Sequence, residues 1–133
     1  MKTLMRFLLG LMLILLNGCT TLSPISENYY RVAAKANRQI EKQLPIYATA
    51  IGGRIPNKIT TYDGMFEFPK PMTIEQGRHF AIKSSEIAIR TFNQDQSIQE
   101  FLENQPFTND NIVIYIHSKE YLNQIAPTGY ADS

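Results

Sequence analysis

Apolar positions recur in two rhythms along this chain, and each rhythm marks a different kind of element. Between Ser26 and Leu44, the residues Tyr29, Val32, Ala33, Ala36, Ile40 and Leu44 fall at three- and four-residue steps, with Arg31, Lys35, Arg38 and Lys42 between them. That spacing predicts an amphipathic helix. Ser26 suits the N-cap, Glu27 lies near the positive end of the helix dipole, and Pro45 stops the helix. Residues 46–51 (IYATAI) are β-prone, and Gly52-Gly53 predicts a break after them. Lys58 to Phe68 reads as a strand with Tyr62, Phe66 and Phe68 on one face and Gly64 as a bulge. Pro69 and Pro71 close it. Thr73-Ile74-Glu75-Gln76 matches a capping box and opens a second helical pattern through Ile74, Gly77, Phe80, Ala81, Ser84, Ile87, Ala88 and Thr91. The small residues Gly77, Ala81, Ser84 and Ala88 suit close packing on a sheet.

A further capping box, Ser97-Ile98-Gln99-Glu100, predicts a short helix ending near Asn104. Ile112, Ile114 and Ile116 then alternate with Val113, Tyr115 and His117, the period-two pattern of a strand. There is no internal repeat. The element order predicts an α+β fold, a small antiparallel sheet packed on one long and one or two shorter helices. The expected single domain spans residues 28–120, with an irregular tail at 121–133. Because the tail lacks alternation, Ile112 to Ile116 is left as a sheet edge. No Pro or Lys guards it between Asn111 and His117. It is the candidate surface for a protein partner or self-association by strand addition, unless residues 121–133 fold back over it.

The N-terminus breaks both rhythms. Lys2 and Arg6 precede an unbroken apolar run of ten residues, Phe7 to Leu16. A basic stretch followed by an apolar core of this length has the form of a secretory signal. As a helix it spans roughly 15 Å, about half of a bilayer's hydrocarbon core. Leu16-Asn17-Gly18-Cys19 follows and ends on the only cysteine of the chain. This resembles a bacterial lipobox, although Asn17 is larger than the small residue usual at that place. The resemblance implies a lipoprotein signal peptide at residues 1–18, cleavage after Gly18, a diacylglycerol thioether on Cys19, and fatty acylation, such as by palmitate, of its new amino group. Residues 19–27 would then tether the domain. Two or three acyl chains hold a protein on a membrane where one gives only marginal attachment. Thr20 stands where an Asp would favour retention at the inner membrane, so the resemblance implies the outer membrane in a two-membrane envelope. The same segment also fits a plain secretory signal ending beside a free cysteine.

Composition narrows the function classes. The 133 residues include 13 Lys+Arg, 12 Asp+Glu, two His and no Trp, with 44% hydrophobic residues. That balance argues against a disordered, collagen-like or coiled-coil chain. A formal charge of +1 lacks the basic excess of a nucleic-acid binder. Without residues 1–18 the side chains number 11 basic and 12 acidic, so anionic lipid head groups gain nothing by attracting the whole domain. The basic stripe of the first helix therefore reads as a solvated face. One cysteine builds neither a disulfide framework nor a multi-thiolate metal site.

The stretch Phe101-Leu102, Gln105-Pro106-Phe107-Thr108 and Ile112 to Ile116, preceded by Met72-Thr73 at a helix start, resembles an uncharacterised family of small exported bacterial α+β proteins. The resemblance covers roughly residues 30–117 and implies a fold, not an activity. Members usually carry a further strand.

Candidate chemistry is sparse. His79 and His117 lie 38 positions apart, with no metal-binding spacing. Ser84, Ser85, Ser97 and Ser118 occupy no nucleophile elbow. Gly52-Gly53-Arg54 lacks the further glycines and the Lys-Ser/Thr of a phosphate loop. Tyr29, Tyr30, Tyr47, Tyr62 and Tyr115 offer a surface for a ligand or peptide, with half-buried sheet positions as the plainer reading. Asp63 and Glu67, four apart on a strand, share a face where paired carboxylates can do acid–base work. The expectation is a lipid-anchored envelope protein that binds rather than catalyses, without cofactor, metal or nucleic acid. The alternative is a small envelope hydrolase using Asp63, Glu67 or His117 in a cleft.

Overall fold

The structure, a computed structural model, describes residues 22–118. The segment expected as a signal peptide, 1–18, together with Cys19 and the expected tail at 121–133, lies outside the described residues.

Helix α1 (Pro24–Gln43) starts earlier than its apolar stripe suggests: Ser23, not Ser26, is the N-cap, and its side chain accepts from the Ser26 N–H. Pro24 costs nothing in the first turn, where its missing N–H would have no helical partner. Leu44 caps the far end through a 2.9 Å bond from its N–H to the Ile40 carbonyl, and Pro45 prevents continuation. The stripe is buried as expected, with Tyr29, Val32, Ala33, Ala36 and Ile40 inside. Full burial of each large side chain stabilises by about 1.5–3 kcal/mol.

Strand β1 (Tyr47–Arg54) pairs antiparallel with β2 (Thr61–Phe68). The glycine pair does not break β1. Gly52 pairs with Asp63 and Gly53 with Tyr62, so the strand runs on to Arg54. The bulge lies in β1, between Ala48 and Ala50, rather than at Gly64. Gly64 pairs in register with Ile51, and a side chain there would meet the Tyr62 hydroxyl oxygen at 2.6 Å and the Phe66 ring at 2.8 Å. That space lets the Tyr62 hydroxyl reach the buried Asn37 Oδ1, to which it donates.

Helix α2 (Ile74–Gln94) has the full capping box read from its sequence: Gln76 N–H donates to Thr73 Oγ1 at 3.1 Å, and Thr73 N–H to Gln76 Oε1 at 3.0 Å. It carries the chain across to β3 (Ile112–Ser118), which pairs parallel with β2. The α+β class holds and the sheet is mixed, order β1-β2-β3, not antiparallel throughout. A helical crossover is the usual way to bring two strands side by side in the same direction. The layer on the sheet comprises two long helices, α1 and α2. Buried Tyr62, Gly64, Phe66 and Phe68 alternate along β2 and face them.

Between α2 and β3, residues Gln96–Phe101 form a 3₁₀ segment whose N-cap is Asp95 instead of Ser97. The Asp95 carboxylate accepts from Ser97 N–H at 3.1 Å and lies 3.2 Å from Arg31 Nη1 and 3.9 Å from Lys35 Nζ. Burial alone would raise its pKa; hydrogen bonds from Arg31 and Ser97 and the Arg31 charge outweigh that and hold it below the usual carboxylate range. A depressed folded pKa stabilises above the unfolded pKa of about 3.9 and loses that contribution as pH falls through the folded value. Asp95→Asn should therefore cost about 1 kcal/mol at pH 7, where the half-exposed cations are partly screened by water. Urea unfolding at pH 7 and pH 3 should show the two proteins converging in acid.

Candidate functional site at the open sheet edge

Among the described residues, the three strands leave two edges with different chemistry. The β1 edge is bent by the Ala48/Ala50 bulge and ends in Gly53 and Arg54, features that discourage strand addition. β3 pairs on one side with β2 and has no bulge in its seven-residue register. Its alternation places Ile112, Ile114 and Ile116 toward the helices, where all three are partly buried. Ile114 touches both core clusters, one around Phe92 and one around Phe66. On its open side, Ile114 lines a groove of about 400 Å³ with Ala81, Ile82, Ser85, Glu86 and Asn109. Ile82 is 58% exposed there, a large apolar side chain left in water beside an unguarded strand.

Both helices pack on one face of the sheet, so the other face carries the outward residues. Registers align them in rows: Tyr47, Glu67 and His117; Ala50, Met65 and Tyr115; Gly52, Asp63 and Val113. Tyr47 and Tyr115 are 62% and 45% exposed.

The expected candidates for catalysis come together only in part. Glu67 and His117 are register neighbours. Asp63 shares their face, yet four residues along a strand separate it from Glu67 by about 13 Å, too far for the two carboxylates to share a proton. The Asp63 Oδ1 atom is shielded and has no hydrogen-bond partner among the described residues. None of the three residues lines a described cavity. Ser118 follows His117 but is turned to the opposite face, where its hydroxyl donates to the Lys70 carbonyl at 3.0 Å. Ser84 is buried in α2, Ser85 lines the Ile114 groove, and Ser97 hydrogen-bonds Asp95 and Arg31. His79 is exposed beside Phe80. Among the described residues, no group of three His, Cys, Asp or Glu is placed to hold a metal ion.

The five tyrosines considered as a binding surface divide. Tyr30, Tyr47 and Tyr115 are exposed, while Tyr29 and Tyr62 are core residues. The Tyr29 hydroxyl donates to the Gly52 carbonyl. Burial, and then the Asp63 charge, raise the Tyr29 pKa; burial, and then Tyr29, raise that of Tyr62. Both phenols stay neutral at physiological pH and act as structural donors. Sequence reasoning missed Asn37, which lies among polar residues yet is buried, and Ile82, whose exposure is visible only in three dimensions. It missed Asp95 too, reading Ser97 as the cap, although an Asp just ahead of a helical turn is a recognised cap residue.

The chain matches no family model, no curated protein and no solved structure. No helix among the described residues is long and apolar enough to cross a membrane.

Proposed function

We propose that this chain is a lipid-anchored envelope protein that works by binding, and that it accepts an added β-strand at the open edge of β3. The observation that carries the reading is that edge: an unbulged run of five uncharged residues, Ile112 to Ile116, paired on one side only among the described residues. Unpaired backbone N–H and C=O groups supply affinity to an extended segment, and alternate side-chain sites supply selectivity. The groove beside Ile114 offers an apolar site for one such side chain.

The anchor rests on the lipobox-like Leu16 to Cys19. Four residues lie between Cys19 and Pro24, the start of α1, and the five steps reach at most about 17 Å, so the anchor would hold the domain close to its membrane. Outer-membrane placement follows the Thr20 reading in a two-membrane host. Cells fed a fatty-acid analogue should label the wild-type chain, and Cys19→Ala should abolish that label and release the protein from the membrane fraction. A Cys19→Ala chain that still takes up label would remove the lipoprotein reading.

A hydrolase reading would have to use the Glu67–His117 pair. Those two residues lie on the outer sheet face, in the same row as exposed Tyr47, and no serine or cysteine of the described residues shares their rows. This arrangement favours binding over catalysis.

A further inference from the structure

We infer that the strand accepted at the β3 edge is β3 of a second copy of this chain, running antiparallel about a two-fold axis at Ile114. The inference rests on the docking reading above and names its occupant. In a two-fold contact the same patch serves both partners, so a charge near the axis faces its own kind. Ile112 to Ile116 contains no charged side chain, which removes that penalty over the whole pairing segment. With the axis at Ile114, Ile112 opposes the partner's Ile116 and Ile114 opposes the partner's Ile114, all on the helix side. On the outer face Val113 opposes the partner's Tyr115. Cross-strand pairs of β-branched and aromatic residues are among the favourable ones. An axis at Val113 would instead set Asp110 against Ile116.

The helix layer supports the same arrangement. Extending the sheet through β3 brings the two α2 helices together on one face, and the side of α2 nearest the axis carries Ala81, exposed Ile82 and Ser85. Two small residues permit approach, and Ile82 gains apolar cover that the monomer does not give it. Glu86 also lines this groove, but its charge is met within its own helix by Lys83 at 3.0 Å, so the partner's Glu86 is not opposed by a bare carboxylate. The β1 edge, bulged and ending in Arg54, offers no such self-match.

The test co-expresses two differently tagged full-length chains, one Val113→Cys and one Tyr115→Cys, and applies a mild oxidant to intact cells. Both substitutions lie on the outer face and leave the isoleucines in place. Directly opposed residues have Cα atoms about 4.5–5.5 Å apart, within disulfide reach. Position 113 and the partner's 113 are offset by two residues and fall beyond it, so the mixed dimer should exceed either self-linked dimer by about tenfold. Equal or dominant self-linking by Tyr115→Cys alone overturns the Ile114 axis. Linkage to a different protein overturns self-pairing and leaves the docking reading standing. No adduct at all, as expected if residues 119–133 cover the edge, removes both. Sedimentation of the unsubstituted full chain in detergent guards against misfolded variants: a dimer is expected, and a monomer at high concentration overturns the inference.

Discussion

Phe92→Ala should lower the stability of the domain by about 3–5 kcal/mol, the range for truncating a fully buried phenylalanine. Phe92 has no exposed surface. Its ring centroid lies 5.4 Å from Tyr62, 6.1 Å from Tyr29 and 5.3 Å from Phe107, the last nearly parallel. It therefore joins α1, β2, α2 and the segment that leads into β3. Aromatic pairs add about 0.5–1.5 kcal/mol beyond area burial, and removing the ring ends three of them at one point. Domains of this size have about 5–15 kcal/mol in total, so the variant should retain little margin. Urea unfolding of Phe92→Ala and Phe92→Leu separates volume from aromaticity. Leucine should recover most of the loss if packing volume dominates. A loss below about 1 kcal/mol for alanine would mean that this aromatic centre does not hold the layers together.

Elements with strong local patterns were legible from residues alone. Tyr29, Val32, Ala36 and Ile40 marked the buried side of α1, the Thr73–Gln76 box marked the start of α2, and the three isoleucines marked β3. What failed depended on contacts distant in sequence. Gly52-Gly53 looked like a break because local rules treat glycine as a turn former; in the sheet, Gly53 makes room for the Tyr29 hydroxyl, 24 residues away. The mixed sheet was missed for a related reason. Nothing in the α2 pattern states that the helix returns the chain to β2 on its far side in a parallel direction.

The candidate site divides along the same line. The unguarded edge follows from the uncharged run at 112–116, a local property. The groove beside it does not, because it needs Ala81, Ile82 and Ser85 of α2 to lie next to Ile114. The carboxylate pair failed on simple geometry: a shared face in a strand is not proximity, and 3.3 Å per residue puts Asp63 and Glu67 about 13 Å apart. The register neighbour that Glu67 does meet, His117, comes from a strand 50 residues later.

Gly53→Ala should destabilise the domain by about 3 kcal/mol through backbone strain and collision together. Gly53 has φ +154°, a region that L side chains rarely adopt. A Cβ built there would meet the Thr61 carbonyl oxygen at 2.6 Å and Tyr29 Cζ at 2.8 Å, well inside van der Waals contact. The two obstacles respond differently to a second change. Tyr29→Phe removes the hydroxyl that approaches Gly53 and its bond to the Gly52 carbonyl, while the Thr61 carbonyl belongs to the paired β2 backbone and cannot withdraw without opening the ladder. The double variant Tyr29→Phe/Gly53→Ala should therefore recover only a minor part of the loss. Tyr29→Phe alone should cost about 1 kcal/mol, the net value of one hydrogen bond. Full recovery in the double variant would locate the strain in the tyrosine rather than in the β1 backbone. Unfolding midpoints of the four proteins in one denaturant series decide between these outcomes, because neighbouring substitutions of this kind are not expected to add.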